Sequence, residues 1–205
     1  MVNAPIRLML VDDQALVRGA MGALLELEGD LVVVAEAADG AQAASLAGQA
    51  TPDVCLMDIQ MPGMDGITAT RQVREASPAT RVLVVTTFAR PGYLRQALDA
   101  GASGFIVKDA PADRLADAVR RVHAGLRVVD PELAEASLFE GQSPLTEREQ
   151  QALRLSADGR AVAQIAAEMF LSAGTVRNHL SSAIGKTGTE NRSQAAQVAR
   201  EKGWI

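Results

Sequence analysis

Three aspartates follow directly on two apolar stretches of the chain. Residues 54–57 lead into Asp58, and residues 6–11 lead into Asp12 and Asp13. Apolar stretches without polar alternation are typical of strands buried on both faces of a parallel sheet, and ligands bind at the carboxyl ends of such strands. Three carboxylates at one edge would repel one another unless a cation lay among them, and oxygen ligands of this kind suit Mg²⁺. Taken singly, each aspartate is explained as well by the capping of a turn or a helix.

Two more apolar stretches end in polar side chains. Residues 81–87 finish at Thr86 and Thr87, and residues 104–108 finish at Lys108. An ammonium group and a hydroxyl beside a metal-bound acidic cluster can neutralise and hydrogen-bond the oxygens of a phosphoryl group. The order of these residues along the chain therefore predicts a phosphoryl site, although none of them is informative alone.

This combination resembles the phosphorylation site of two-component receiver domains, and the resemblance covers roughly the first 125 residues. The matching positions are Asp12, Asp13, Asp58, Thr86 and Lys108. It implies that Asp58 accepts phosphate from a sensor histidine kinase and that Thr86 and Lys108 contact the acyl phosphate. It also implies a Mg²⁺ ion held by Asp12, Asp13, Asp58 and the backbone carbonyl of Gln60. Phe105 occupies the position of the family's aromatic switch, whose ring turns inward as the Thr86 hydroxyl moves toward the phosphoryl group.

Strand and helix signals alternate through the first part of the chain. This alternation predicts an α/β domain with a flavodoxin-like sheet of five parallel strands, in the order 2-1-3-4-5, and helices on both faces. We expect this receiver domain at 1–126 and a linker at 127–143, within which 131–139 could form a short amphipathic helix. Apolar residues on the first helix cover more of its circumference than one sheet face requires, which indicates either a partner surface or a broadly buried helix.

A helix signal opens the second domain, which is predicted at 144–205. Thr146 and Glu149 have the spacing of a capping box, and three further helical segments follow after short breaks. The pattern predicts an all-α domain of four helices with a helix-turn-helix layout. The third helix is predicted at about 174–186. We expect Gly185 to end or fray it early, because glycine costs about 1 kcal/mol relative to alanine in a helix.

The polar face of that third helix carries side chains suited to duplex DNA. With Val176, Leu180 and Ile184 in the core, three side chains that can contact base edges lie outward: Arg177, Asn178 and Ser181. Three more are of types that anchor phosphates: Thr175, Ser182 and Lys186. A solvated helix face explains such residues at least as well when they are taken alone.

The second domain resembles the LuxR/NarL-type DNA-binding domain across essentially 144–205, through residues 145–149, 157–159 and 174–180. Joined, the two domains resemble a NarL/FixJ-class response regulator. The resemblance implies that the third helix binds double-stranded DNA, that a homodimer forms on phosphorylation, and that the protein regulates transcription. We expect the first helix and the last receiver helix to form the dimer face. Within the class, the segment 86–93 is similar to regulators that control lipid-desaturase genes in response to membrane fluidity.

The composition is ordinary for a soluble protein of two modest domains. The 205 residues are 48% hydrophobic and 22% charged, with a net charge of −5. No stretch approaches the roughly 20 apolar residues that span a membrane, and the N-terminus lacks the pattern of a secretory signal. We therefore expect a cytoplasmic protein without membrane insertion.

Two other functions fit parts of the sequence. A DNA-binding regulator that works without phosphate would leave Asp58 chemically silent. A phosphatase with an aspartyl-phosphate intermediate would need a second acid two residues after the nucleophile, where this chain has Gln60. The sequence therefore predicts a regulator rather than an enzyme.

Overall fold

The computed structural model describes residues 4–87, 91–131, 133–135 and 143–205. The chain forms two compact units, and along the chain the boundary between them falls at Ala134–Glu135. Within the described residues, no helix has both the length and the apolar character needed to cross a membrane.

The first unit is a parallel sheet flanked by helices. Its strands are β1 (Ile6–Val11), β2 (Leu31–Ala37), β3 (Val54–Met57), β4 (Arg81–Thr86), β5 (Gly104–Val107) and β6 (Val128–Val129). Its helices are α1 (Ala15–Glu26), α2 (Gly40–Ala50), α3 (Gly66–Ala76), α4 (Pro91–Asp99) and α5 (Ala112–His123). The strands lie in the order β2-β1-β3-β4-β5-β6, and every neighbouring pair is parallel. The predicted flavodoxin-like order of the first five strands is confirmed.

In the described part of the chain, the sheet has six strands rather than the predicted five. Val128 N–H donates to Ser103 O and Asp130 N–H donates to Phe105 O, each at 3.2 Å, which adds β6 beside β5. A strand of two residues is too short to show periodicity in the sequence, and Pro131 follows two residues after it. β6 lies within the stretch predicted as a linker, and the domain bounds remain a prediction.

Two predicted features fall partly outside the described residues. Of the helix predicted at 131–139, residues 131 and 133–135 are helical, while 132 and 136–139 are not described. The segment 86–93, which carries the similarity to desaturase-controlling regulators, includes residues 88–90, which are also not described.

Each central strand buries both of its faces, which explains its continuously apolar sequence. Leu8 and Leu10 of β1 belong to the core between the sheet and helices α1 and α5. Met9 and Val11 belong to the core on the opposite face, under α2 and α3. All four side chains are at most 1% exposed. Polar side chains are therefore displaced to the strand ends.

Between residues 143 and 205, the second unit consists of the four predicted helices. They are α6 (Glu147–Ala157), α7 (Val162–Met169), α8 (Ala173–Thr187) and α9 (Arg192–Glu201). Each helix contributes to one buried core, which includes Leu153, Ile165, Leu180 and Ala199. The predicted capping box is present, because Thr146 N–H donates to Glu149 Oε2 at 2.7 Å and Glu149 N–H donates to Thr146 Oγ1 at 3.4 Å. This box fixes the start of α6.

Helix α8 is longer than predicted. The expectation that Gly185 ends it early is wrong, since the helix continues to Thr187 and Gly188 terminates it with a φ of 64°. The Thr187 hydroxyl lies 2.9 and 3.0 Å from the carbonyl oxygens of Ala183 and Ile184. Burial of Ala183 and the left-handed glycine cap outweigh the low helix propensity of one exposed glycine.

Candidate functional site

The ends of β1 and β3 bring the three predicted aspartates together. Val11 and Met57 are paired across the two strands, and Asp58 N–H donates to Val11 O at 2.9 Å. The residues that follow therefore lie side by side. Asp12, Asp13 and Asp58 each offer a carboxylate oxygen, and these oxygens all lie within 4.8 Å of one another. Backbone register alone is enough to assemble this acidic cluster.

Lys108 lies against the acidic cluster from the end of β5. Its Nζ is 2.7 Å from Asp12 Oδ2 and 3.3 Å from Asp58 Oδ1, and its side chain is only 9% exposed. Its backbone N–H donates to Thr86 O at 2.8 Å, which fixes the lysine relative to β4. One ammonium group thus serves two buried carboxylates, and burial strengthens both interactions.

Burial disfavours the ionised form of Asp58. Its side chain is 4% exposed, and burial raises the pKa of its carboxyl. Lys108 opposes this rise in the pKa, whereas the neighbouring Asp12 adds to it. The carboxylate form of Asp58 is therefore short of positive charge, and a further cation would stabilise it.

The donors around Asp12 and Asp13 show which oxygens are already satisfied. Asp12 Oδ1 accepts from Gln14 N–H at 2.9 Å, so this aspartate also caps the turn before α1. Asp13 Oδ1 is buried, and no described residue donates a hydrogen bond to it. A buried carboxylate oxygen without a donor is costly. It is also the kind of ligand that Mg²⁺ takes, so the residues present fit the predicted ion.

Arg18 holds the backbone of the acidic cluster. Its guanidinium donates to the carbonyl oxygen of Asp12 at 2.6 Å and to Glu36 Oε2 at 2.8 Å. The carbonyl contact ties the turn between β1 and α1 to helix α1, while Glu36 orients the guanidinium from β2. Sequence reasoning missed this contact, because an arginine on a helix gives no sign of which carbonyl it reaches.

Gly66 fits closely under the backbone of Asp58. A Cβ at this position would overlap the carbonyl group of Asp58, and Gly66 N–H donates to Ile59 O at 2.9 Å. Asp65 caps the same helix, with Oδ1 accepting from the N–H groups of residues 67 and 68 at 2.9 Å. Glycine is therefore required where α3 begins. Sequence reasoning missed this close approach, because a glycine at a helix start gives no sign of which backbone lies against it.

The other residues predicted for this site lie at the same edge of the sheet or just behind it. Thr86 is the last residue of β4 and is fully buried. Gln60 is exposed in the loop two residues after Asp58. Phe105 is fully buried within β5, in the inward position that the resemblance associates with the switched state. The structure therefore places Thr86 and Lys108 together through the backbone, and it places the ring of Phe105 inside the core.

The predicted DNA-contacting face of α8 is exposed. Val176 and Leu180 are buried in the core and Ile184 packs against it, as predicted. The three residues predicted to contact base edges are exposed on the helix: Arg177, Asn178 and Ser181. This leaves one face of the helix with a cation, an amide and a hydroxyl directed away from the core.

The residues predicted as phosphate anchors all have partners within the second unit. Ser182 Oγ donates to Glu149 Oε1 at 2.6 Å, and Lys186 Nζ donates to Glu149 Oε2 at 2.7 Å. Thr175 lies in the first turn of α8, where its N–H donates to Oγ of the N-cap residue Ser172 at 3.1 Å. Ser182 and Lys186 thus fasten α8 to α6, a role that sequence reasoning missed.

The carboxylate of Glu149 accepts hydrogen bonds from three donors. Burial would raise the pKa of this carboxyl, but the bonds from Lys186, Ser182 and the Thr146 backbone lower the pKa to about 2. The side chain is 6% exposed, and its carboxyl is fully ionised at neutral pH. Glu149 is therefore a structural carboxylate that sets the position of α8.

Comparison with known proteins matches the two units to two different families. Residues 8–120 match the family described as response regulator receiver domain, and residues 143–199 match bacterial regulatory proteins of the luxR family. The chain belongs to the LuxR-type response regulators. It is a two-component, DNA-binding regulator of transcription, and its relatives are transcriptional regulators rather than enzymes.

Relatives and solved structures span both units of this response regulator. It is 44% identical to the uncharacterized transcriptional regulatory protein YvfU of Bacillus subtilis, over 98% of this chain and 100% of YvfU. It is 41% identical to the transcriptional regulatory protein DesR of the same organism, over 98% and 99%. The crystal structure of ChrA, a response regulator of a heme-sensing two-component system, aligns with a TM-score of 0.58, 38% identity and coverage of 98% and 100%. An RcsB–DNA complex aligns with a TM-score of 0.67 at 24% identity, over 96% and 98%, which shows the shared fold.

Proposed function

We propose that Asp58 accepts a phosphoryl group from a sensor histidine kinase and that the phosphorylated protein acts as a homodimer on double-stranded DNA. The observation that carries this proposal is the cluster of Asp12, Asp13 and Asp58 around Lys108, in which one buried carboxylate oxygen has no donor among the described residues. A structural ion pair would be satisfied without a ligand. This cluster is short of positive charge, as expected of a site completed by a cation and a phosphoryl group.

In the proposed reaction a carboxylate oxygen of Asp58 attacks the phosphorus of a phosphohistidine. The new O–P bond forms as the N–P bond breaks, and the imidazole leaves with the electron pair. The ligands proposed for Mg²⁺ are Asp12, Asp13, Asp58 and the backbone carbonyl of Gln60. When bound, Mg²⁺ supplies positive charge against the carboxylates and the equatorial phosphoryl oxygens. Lys108 remains close enough to pair with the phosphoryl group on Asp58.

The proposed switch is the pair of Thr86 and Phe105. Thr86 ends β4 beside the backbone of Lys108, where its hydroxyl can bond a phosphoryl oxygen. Phe105 lies one strand further along the sheet, with its ring already in the core. Movement of the Thr86 hydroxyl toward the phosphate would stabilise this inward ring position. Phosphorylation then biases an equilibrium rather than building a new conformation.

The proposed DNA contacts follow from the face of α8. Arg177 and Asn178 are suited to guanine and adenine edges, and Ser181 can contact either. Thr175 lies in the first turn of the helix, which favours a phosphate. Lys186 has a 35% exposed side chain and can approach a phosphate while it remains bonded to Glu149. Ser182 can contact a phosphate only if its hydroxyl leaves Glu149, so we expect the weakest contribution from it.

The proposed dimer face combines α1 and α5. An apolar groove of about 310 Å³ between these helices is lined by residues that include Leu16, Met21, Leu24 and Leu115. Leu16 and Leu24 are 85% and 49% exposed. A second copy of the chain would cover this surface.

A protein that takes phosphate from a kinase and binds chromosomal DNA is proposed to act in the cytoplasm. Its control of desaturase genes remains a prediction from the segment 86–93.

Introduction of a charge in the groove tests this face. Leu24→Lys should weaken dimerisation of the phosphorylated protein about tenfold, because a leucine that the proposed dimer would bury is replaced by a charge. Leu126→Lys is the matched control, since Leu126 is 53% exposed and does not line the groove. Sedimentation equilibrium measures both dissociation constants. Equal dimerisation of the two variants and the unmodified protein would remove α1 from the proposal.

Phosphorylation itself is tested with acetyl phosphate and Mg²⁺, followed by intact-protein mass spectrometry. We expect one phosphoryl group on the unmodified chain and none on Asp58→Asn. Asp53→Asn is the matched control, because Asp53 lies at the opposite end of β3, where its carboxylate accepts from Arg7 N–H at 2.8 Å. Phosphorylation of Asp58→Asn would place the phosphoryl group on another residue and contradict the role of Asp58. A lack of phosphorylation in the unmodified chain would contradict the proposal and favour a regulator that works without phosphate.

A further inference from the structure

Phe170 adopts a conformation that is unfavourable for its residue type. It ends α7 with φ 53° and ψ 44°, in the left-handed region. Its N–H donates to Ala167 O at 3.3 Å, and the N–H of Leu171 donates to Ala166 O at 2.9 Å. These two bonds form a Schellman motif, in which the left-handed position is usually glycine or asparagine. A bulky aromatic residue at this position is strained.

The ring of Phe170 gains nothing from the protein in return. It is 94% exposed and is the most exposed large apolar side chain among the described residues. The next residue, Leu171, provides the packing that accompanies such a motif, because it lies against the core of the second unit. Single exposed apolar residues are common on protein surfaces. Phe170 differs because an exposed ring and a strained backbone coincide.

The position of Phe170 limits what can lie against it. It is in the turn between α7 and α8, two residues before Ser172, the N-cap of α8. In helix-turn-helix docking, the first residues of the recognition helix contact base edges while the preceding helix crosses the DNA backbone. The turn between them therefore meets the backbone that borders the major groove. The deoxyribose rings of that backbone present carbon–hydrogen surface between the phosphates.

We propose that Phe170 packs against deoxyribose of duplex DNA at the edge of the groove that α8 enters. This contact rests on the proposed role of α8 in DNA binding and extends it by a contact that is apolar and independent of base sequence. The ring is desolvated on binding, which adds affinity without neutralising a phosphate. The strained conformation directs the ring away from the core, where Leu171 already fills the available space.

Three variants of the full-length chain, all treated with acetyl phosphate and Mg²⁺, test this contact. Phe170→Asn removes both the ring and the strain, Phe170→Leu keeps an apolar side chain, and Arg177→Ala is the control for loss of a base contact. The probe is a fluorescent duplex selected from a random-sequence library by the unmodified chain. Fluorescence anisotropy at several salt concentrations gives Kd and its salt dependence, and chemical denaturation gives the stability of each variant.

We expect Phe170→Asn to weaken DNA binding about tenfold. Its unfolding equilibrium constant should fall about fivefold because the strain is removed. Phe170→Leu should retain most of the affinity. The dependence of log Kd on log salt should be unchanged in both variants, because no phosphate contact is lost. A residue with a merely structural role would not combine greater stability with weaker binding.

Three results would overturn the contact. Unchanged DNA affinity in Phe170→Asn, together with weaker binding in Arg177→Ala, would reject the role of Phe170 and leave the role of α8 intact. Unchanged DNA affinity with reduced transcription in vitro would assign the ring to a protein partner. Failure of the unmodified chain to select any duplex would reject the proposed DNA contacts of α8 and the contact of Phe170 with them.

Discussion

The two units each contain a buried carboxylate that pairs with a lysine, yet the two sites differ in how well they are satisfied. Glu149 receives three hydrogen bonds, from the Thr146 backbone, Ser182 and Lys186. The acidic cluster of the first unit shares one lysine between two aspartates, and Asp13 Oδ1 has no donor among the described residues.

The pKa values follow this difference in satisfaction. The pKa of Glu149 is lowered to about 2, whereas the pKa of Asp58 is raised. Both residues are 4% exposed, and burial raises the pKa of each carboxyl. At Glu149 the three hydrogen bonds outweigh the effect of burial on the pKa, whereas at Asp58 burial outweighs the effects of Lys108 and the Ile59 backbone N–H.

Removal of the charge at Glu149 should have the largest effect on stability. Glu149→Gln leaves Lys186 without its partner and loses charge-assisted bonds, so we expect the second unit to lose about 3 kcal/mol in free energy of unfolding. Glu147→Gln is the matched control, because Glu147 is exposed on the same turn. Urea denaturation followed by circular dichroism measures both. A loss of less than about 0.5 kcal/mol would show that the bonds of Glu149 do not stabilise the second unit.

The same carboxylate predicts how the second unit responds to acid. Its pKa is lowered in the folded state, so its contribution to stability is present above its ordinary pKa of 4.5 and is lost as the pH falls toward 2. We expect the acid-induced loss to be smaller in Glu149→Gln than in the unmodified chain. Parallel acid dependence in the two proteins would assign the acid sensitivity to other groups.

The acidic cluster should be sensitive to the backbone beneath it. Gly66→Ala forces the new methyl group against the carbonyl of Asp58, so we expect a loss of about 2 kcal/mol in stability and slower phosphorylation. Gly48→Ala is the matched control on α2, where the nearest atom to an added Cβ is 3.9 Å away. Denaturation and the rate of labelling by acetyl phosphate measure the two effects. A normal labelling rate for Gly66→Ala would show that the close contact between Gly66 and the Asp58 backbone does not affect phosphorylation of Asp58.

Addition of Mg²⁺ should stabilise the first unit and leave the second unchanged. At ten times the dissociation constant we expect about 1.4 kcal/mol, since a ligand that binds only the folded state contributes RT ln(1 + [L]/Kd). Asp13→Asn should remove most of this gain, because it removes a proposed ligand. Thermal denaturation at constant ionic strength measures the effect. An equal gain in Asp13→Asn would reject Asp13 as a ligand.

Replacement of Asp58 should give the smallest change, with a sign opposite to that for Glu149. Because the pKa of Asp58 is raised, its ionised form costs stability at neutral pH, and this cost grows as the pH rises through the folded-state pKa. Asp58→Asn removes the repulsion with Asp12 and leaves Asp12 paired with Lys108. We expect a gain of about 1 kcal/mol without Mg²⁺. If Asp58→Asn were less stable than the unmodified chain, the ionised carboxylate of Asp58 would stabilise the first unit, as that of Glu149 is expected to stabilise the second.

Much of the fold was predictable because its signals are local. Continuous apolar stretches gave five strands, and Thr146 with Glu149 gave the start of α6. The sixth strand was missed because two residues carry no periodicity. The early end expected at Gly185 was wrong because propensity was weighed without the burial of Ala183 and the cap at Gly188.

The sequence by itself determined which residues stand at the carboxyl ends of the strands, because alternation and turn chemistry are properties of neighbouring residues. It thereby determined the members of the acidic cluster. Only the tertiary structure decided which donor reaches which carboxylate: Lys186 lies 37 residues from Glu149, and Arg18 reaches the backbone of Asp12 from α1. Such pairings depend on how helices pack. The packing therefore separates Glu149, whose carboxylate is satisfied within the fold, from the acidic cluster, in which Asp13 Oδ1 has no donor among the described residues.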